Sequence, residues 1–181
     1  MQKKQLSKIK YTAYLAASID GRIAKNSLSG VDWTSNEDWN FFQGVLKKAD
    51  AVLVGHNTYK VSEDRLIWRN TVVLTSRVSG LKIKGTVTFL NPKKVDLKKF
   101  LQSKEYKNVV AIGGSQIYNF CLQNKMLDEL FITIEPYVFT AGVPMFAGVK
   151  FQKNKFILRS IKKLNNRGTI LLKYKNANQA D

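Results

Sequence analysis

Glycine, hydroxyl and basic residues recur at the ends of apolar runs in this chain, and one carboxylate is spaced to face apolar side chains. In Val109-Val110-Ala111-Ile112-Gly113-Gly114-Ser115-Gln116-Ile117-Tyr118 an apolar run meets a glycine pair, and Ser115 opens a segment carrying Ile117, Phe120, Cys121 and Leu122. That order predicts a buried strand, a tight turn and a helix capped by Ser115. Glycines let backbone N–H groups approach a ligand and a helix start adds partial positive charge, so the turn reads as an anion seat, most often for phosphate. The same pattern also serves as a plain strand-to-helix turn. Gly55-His56-Asn57-Thr58-Tyr59 repeats it after Ala51-Val52-Leu53-Val54, with a hydroxyl on Thr58 and His56 placed to touch solvent or phosphate. Thr75-Ser76-Arg77 ends a third apolar run. Hydroxyls beside an arginine suit a phosphate monoester, or a solvated turn.

The acid is Asp38. It precedes Phe42 by one helical turn, and Val45, Leu46 and Ala49 continue the same face, so Asp38 shares the inward side of a helix. A carboxylate among apolar side chains is costly to ionise unless partnered, and its pKa is expected to rise. The competing reading makes Asp38 part of a capping motif with Ser35.

These residues need elements to hold them. Residues 11–19 form a near-continuous apolar run, read as a central strand buried on both faces. Asp20-Gly21 turns the chain, and residues 25–32 form a polar loop that reads as a lid over a site. A helix capped by Thr34 or Ser35 runs to about residue 48. Strands follow at 51–54, 71–74, 86–90, 109–112 and 130–136, with a helix at 96–103. Residues 140–146 read as a turn-rich crossing. Residues 156–161 and 169–174 flank Asn165-Asn166-Arg167-Gly168 as a β-hairpin. Eight strands and about four helices, alternating until the hairpin, predict one α/β domain over residues 1–181. Its sheet is mostly parallel with an antiparallel C-terminal end, and residues 1–9 and 176–181 are expected as flexible tails. Ligands of such sheets gather at the carboxyl ends of the strands. Gly55, Ser76 and Gly113 all fall just past such ends, which points to a dinucleotide carrying an extra phosphate, although a G-x-G-x-x-G turn is absent.

The chain carries 30 Lys and Arg against 13 Asp and Glu, a net charge of +17. Such a field draws anions of any kind: nucleic acid, a phosphorylated cofactor or a polycarboxylate substrate. The lysines are scattered, and no aromatic-interleaved basic stripe supports specific nucleic-acid binding. One cysteine, Cys121, and one histidine, His56, exclude an internal disulfide and argue against a structural zinc, so no metal is expected. No apolar run is long enough to span a bilayer and no signal-peptide pattern opens the chain, so a cytoplasmic protein is expected.

Taken in order, these pieces resemble the dihydrofolate reductase superfamily across roughly residues 11–174. The matching set is Ala16-Ala17-x-x-Asp20-Gly21-x-Ile23-Ala24, a loop ending in Trp33, an acidic helix, Gly55-x-x-Thr58, Leu74-Thr75-Ser76-Arg77 and Ile112-Gly113-Gly114-Ser115-x-Ile117-Tyr118. The resemblance implies NADPH as cofactor. It places Gly55 and Thr58 at the pyrophosphate with His56 and Asn57 beside them, and Ser76 and Arg77 at the 2′-phosphate with Thr75. It places Ile112, Gly113, Gly114, Ser115, Gln116 and Ile117 on the other side of the dinucleotide, Tyr118 near the nicotinamide, and Ala17 and Ile23 among the cofactor contacts. A cis Gly113–Gly114 peptide is implied. On the substrate side it implies Asp38 as the active-site carboxylate and Thr133 as the strand threonine bonded to it and to a water. It makes Trp33 the residue closing the loop, Phe42 the ring against the p-aminobenzoyl group, Arg69 the partner of the substrate α-carboxylate and Ala17 a further substrate contact.

The implied activity is NADPH-dependent reduction of 7,8-dihydrofolate to tetrahydrofolate, with Asp38, Thr133 and Trp33 as the catalytic set. Asp20-Gly21-Arg22-Ile23-Ala24, Glu37-Asp38 and Gly142-Val143-Pro144-Met145-Phe146 are more similar to the riboflavin-pathway branch. The alternative is therefore a free-standing 5-amino-6-(5-phosphoribosylamino)uracil reductase, with no deaminase motif in the chain. A third reading is a basic nucleic-acid-binding protein. The expected partner is a small-molecule substrate, with no membrane and no specific nucleic acid; monomer and homodimer both stay open.

Overall fold

The computed structural model describes residues 8–148 and 153–178. Its centre is β1 (Lys10–Ser18), flanked in parallel by β7 (Asn108–Ala111) and β8 (Glu129–Glu135). Beyond β7 the parallel array continues through β3 (Ala51–Gly55), β4 (Thr71–Leu74) and β6 (Val87–Leu90). The antiparallel hairpin of β10 (Phe156–Lys163) and β11 (Ile170–Asn176) closes the other side, with β11 against β8. The eight expected strands are all present. A ninth, β5 (Leu81–Lys84), pairs antiparallel with β6 at the far edge. All four of its residues are exposed, so no buried apolar run marks it in the sequence. Two short strands, β2 (Arg22–Ala24) and β9 (Val143–Pro144), pair with each other beside the sheet.

The pleat divides the core between two faces. Ala13, Leu15, Ala17, Leu53 and Ala111 point to one, against Leu97 and Leu101 of α4 (Leu97–Ser103) and Ile117, Tyr118 and Cys121 of α5 (Ser115–Gln123). Tyr14, Val52, Val54, Val73 and Val110 point to the other. There they meet Leu46 of α1 (Asn36–Lys47), Tyr59 of α2 (His56–Val61) and Leu66 of the four-residue α3 (Glu63–Leu66). With α3 the helices number five among the described residues.

Two sequence expectations are corrected here. Ser115 does not cap α5: Gly114 is the cap, and the Ser115 hydroxyl donates to the Pro144 carbonyl. Residues 9 and 176, expected within the tails, belong to the ordered fold. Ile9 is buried, and Asn176 is the last residue of β11, its amide side chain donating to Leu127 O. Residues 1–7 and 179–181 lie outside the described residues.

Because β1, β3, β4, β6 and β7 run the same way, their carboxyl ends share one rim. Gly55, Thr75 and the Gly113–Gly114 turn all lie on it. The Gly113–Gly114 peptide is cis. Gly55 N donates to Gly113 O at 2.8 Å, joining two of the rim loops directly. Gly142 has φ of +122°, and a Cβ there would lie 2.5 Å from Ala24 O, so only glycine fits where the β9 approach passes the end of β2.

Candidate active site

A cleft of about 1200 Å³ opens along this rim. Its lining brings together the loops after β3, β4 and β7: Gly55, His56, Asn57 and Thr58; Thr75, Ser76 and Arg77; and the run from Ile112 to Tyr118. Ile23, Asp38, Phe42 and Arg69 line it too, as do Asn26, Ser27, Ser29, Gly30 and Val31 of the loop expected as a lid. Three candidates do not. Ala17 is wholly buried in the core and does not line the cleft, whereas Tyr14, Leu15 and Ala16 of the same strand do. Thr133 is wholly buried behind Asp38. Trp33 packs edge-on against Phe139, 4.9 Å between ring centroids, with its indole N–H buried and unpartnered among the described residues.

The acid end of the cleft is a small buried network. Asp38 is 4% exposed. Tyr14, on β1, donates its hydroxyl to Asp38 Oδ1 at 2.5 Å and lies 3.1 Å from Thr133 Oγ1. Burial pushes the Asp38 pKa up, and the charge of Glu135 adds to that, while the nearby hydroxyls of Thr133, Tyr14 and Thr34 oppose it. Burial and the adjacent Asp38 also raise the Tyr14 phenol above its ordinary value. The ring of Tyr14 stacks on Phe42 at 4.9 Å and on Phe41 at 6.0 Å, which fixes where its hydroxyl points. Both sequence readings of Asp38 hold in part. Its backbone N–H donates to Ser35 Oγ at 3.3 Å, the capping bond, yet its carboxylate turns inward and Glu135 takes the Ser35 N–H.

The rest of the cleft is basic. Arg65, Arg69, Arg77 and Lys93 line it, and among the described residues Asp38 is the sole carboxylate in the lining. Arg69 is oriented by α1, donating at 3.3 Å to Leu46 O and at 3.3 Å to Gln43 Oε1. Arg65 lies over the Trp39 ring at 5.0 Å. Thr75 Oγ1 accepts Arg77 N–H at 3.1 Å and shapes the turn that carries Ser76. Both ring nitrogens of His56 are shielded and unpartnered among the described residues. Burial, then the nearby Arg77 and Lys60, hold its pKa below the ordinary histidine value. The buried Tyr118 hydroxyl donates to Tyr14 O at 2.7 Å, tying α5 to β1 beneath the glycine turn.

A family model for dihydrofolate reductase matches residues 13–167. The chain belongs to the dihydrofolate reductase family. Members of this fold family are oxidoreductases that use NADPH. Among curated relatives, Bacillus subtilis (strain 168) "Uncharacterized protein YwjB" is 28% identical over 145 residues, spanning 76% of this chain and 82% of its own. A putative riboflavin biosynthesis protein from Shewanella sp. PV-4 superposes with a TM-score of 0.70 at 20% identity, covering 93% of this chain and 99% of that one. Dihydrofolate reductase from Enterococcus faecalis, complexed with NADP(H) and RAB-propyl, gives 0.61 at 21% identity over 93% and 96%. The fold is thus common to both branches named by the sequence motifs.

Sequence reasoning missed Tyr14, Arg65 and Glu135. A tyrosine inside a continuous apolar strand reads as core. Its one legible signal was alternation, which places it on the same face as Ala16 and toward α1.

Among the described residues no helix is long and apolar enough to cross a membrane, and no group of three or more His, Cys, Asp or Glu could hold a metal ion.

Proposed function

We propose that this protein is an NADPH-dependent reductase of a planar nitrogen heterocycle, with 7,8-dihydrofolate as substrate. One observation carries the reading: a cleft with a single acid at one end and basic residues along the rest, crossed by three glycine or hydroxyl turns at strand ends. The lining fits a dinucleotide phosphate. Cβ atoms at Gly113 and Gly114 would lie 3.8 and 3.5 Å from Thr58 Oγ1, so two of the turns close on one point where backbone and hydroxyl face the same space. The unpartnered His56 nitrogens lie on the same rim.

In this reading Gly55 and Thr58 hold the pyrophosphate with His56 and Asn57 beside them, and Ser76 and Arg77 hold the 2′-phosphate. Gly113, Gly114, Ser115 and Gln116 bound the other side. The bound cofactor supplies the hydride. Asp38, ionised, receives the pterin's nitrogen edge and favours protonation of the ring nitrogen through a water near Thr133. Phe42 packs on the substrate ring, and Arg69, aimed by Gln43 and Leu46 O, pairs with the substrate carboxylate. The walls align donor and acceptor and exclude water.

A second reading, the phosphoribosylaminopyrimidine reductase, is favoured by Tyr14. Its hydroxyl engages Oδ1 of Asp38, an atom that a two-point grip on a pterin edge would use. Initial rates of NADPH oxidation with dihydrofolate and with 5-amino-6-(5-phosphoribosylamino)uracil test both. Turnover of the first alone supports the leading reading, turnover of the second alone replaces it, and neither removes both.

A further inference from the structure

Glu135 is the second buried carboxylate near Asp38, at 2% exposure, and it does not line the cleft. It ends β8, two residues beyond Thr133 and on the same face. Both of its oxygens are engaged. Oε1 accepts the N–H of Ser35 at 2.7 Å, and Oε2 accepts the hydroxyl of Thr169 at 2.7 Å. Ser35 is the N-cap of α1, and its own side chain holds the Asp38 N–H. Thr169 belongs to the turn between β10 and β11. There Asn165 donates to Thr169 Oγ1 at 2.9 Å and to Glu37 Oε2 at 3.1 Å, with Arg167 3.5 Å from the same Glu37 oxygen. Glu135 therefore joins three elements at one point: the strand carrying Thr133, the first turn carrying Asp38, and the hairpin turn.

We propose that Glu135 is a positioning residue for Asp38, locking the first turn of α1 to β8 and the hairpin turn while presenting Asp38 with a fixed negative charge. The inference rests on the reading of Asp38 as the functional acid. An ordinary cap needs only an acceptor for the Ser35 N–H, which a neutral side chain supplies. A buried carboxylate is a costly way to supply it, so its charge is the feature to be explained. The charge acts on Asp38. The charged and titratable groups facing that carboxyl are Tyr14 from β1 and Glu135 from β8, while Glu37 and Arg167 lie further out on the exposed side of the same network. With a second negative charge nearby, proton loss from Asp38 is harder than burial alone makes it.

The test is Glu135→Gln, which keeps an acceptor for Ser35 and a polar partner for Thr169 while removing the charge. The aspartate carboxyl carbon resonances are followed against pH by NMR in the apoprotein, with Asp38→Asn assigning the Asp38 signal. The Asp38 midpoint should fall by about one pH unit in Glu135→Gln, with the melting curve cooperative. A folded Glu135→Gln with an unmoved midpoint overturns the proposal. If that variant does not fold, Glu135→Asp, which keeps the charge, is titrated instead, and an Asp38 midpoint a full pH unit below wild type overturns the proposal. Because the readout needs neither substrate nor cofactor, inactivity toward both candidate substrates would remove the proposed function and leave this result standing.

Discussion

Tyr14 donates its hydroxyl to Asp38 Oδ1 from the neighbouring strand, and both side chains are almost wholly buried at the end of the cleft. The pair sets how the acid behaves. The bond favours the charged carboxylate, while burial favours the neutral one, and burial prevails. Removing the hydroxyl in Tyr14→Phe should therefore raise the Asp38 pKa further and move the acid limb of the kcat/KM profile to higher pH. It should also cost about 1–3 kcal/mol of stability, as a buried polar atom loses its partner. A pH–rate profile and a denaturant melt check the two effects; an unshifted limb would detach Tyr14 from Asp38's titration.

Asp38→Asn should lower turnover at neutral pH at least tenfold, about 1.4 kcal/mol of barrier, and leave NADPH binding nearly intact. Steady-state rates and cofactor titration by fluorescence measure both.

The same substitution should stabilise the fold. The folded state holds the Asp38 pKa above its unfolded value, so the neutral acid is favoured on folding. That contribution is complete below the unfolded pKa, about 3.9, and is lost as pH rises through the folded pKa. Neutral asparagine avoids the loss. The Tm of Asp38→Asn should exceed that of the wild type at pH 7, with the gap closing as the solution becomes more acid than an ordinary aspartate pKa. Scanning calorimetry across that range decides it.

Arg77→Ala should weaken NADPH binding by about 10-fold or more, the equivalent of one charge-assisted contact, and leave NADH nearly unchanged, since only NADPH brings a phosphate to this turn. Equal losses for both cofactors would place the 2′-phosphate elsewhere.

Arg69→Ala should raise KM for dihydrofolate far more than for a substrate without a terminal carboxylate. Competing the two candidate substrates in the NADPH absorbance assay reads the difference directly.

Much of this architecture was legible because the sheet is parallel and buried. Residues 51–54, 71–74 and 109–112 announce strands by continuous apolar composition, and the glycines and hydroxyls that follow mark where the chain leaves the rim. The inward face of Asp38 was legible from helical spacing, beside the capping motif with Ser35 that the same stretch offered. What escaped notice lacked that contrast. β5 is exposed along its whole length, so its alternation carries no core signal. Ala17 entered through the resemblance, and the structure seats its side chain in the core while Tyr14, Leu15 and Ala16 reach the cleft. Glu135 reads in sequence as the polar end of a strand, and its meaning depends on Ser35 and Thr169, 100 residues before it and 34 after.

β11 lies between β10 and β8 and delivers Thr169 to Glu135. A nascent chain that has not yet emitted this strand leaves one flank of β8 without a neighbour and Glu135 without its second donor. The acid pocket is thus finished only once β11 has left the ribosome, and chains stalled or stopped before it should accumulate with an open sheet margin.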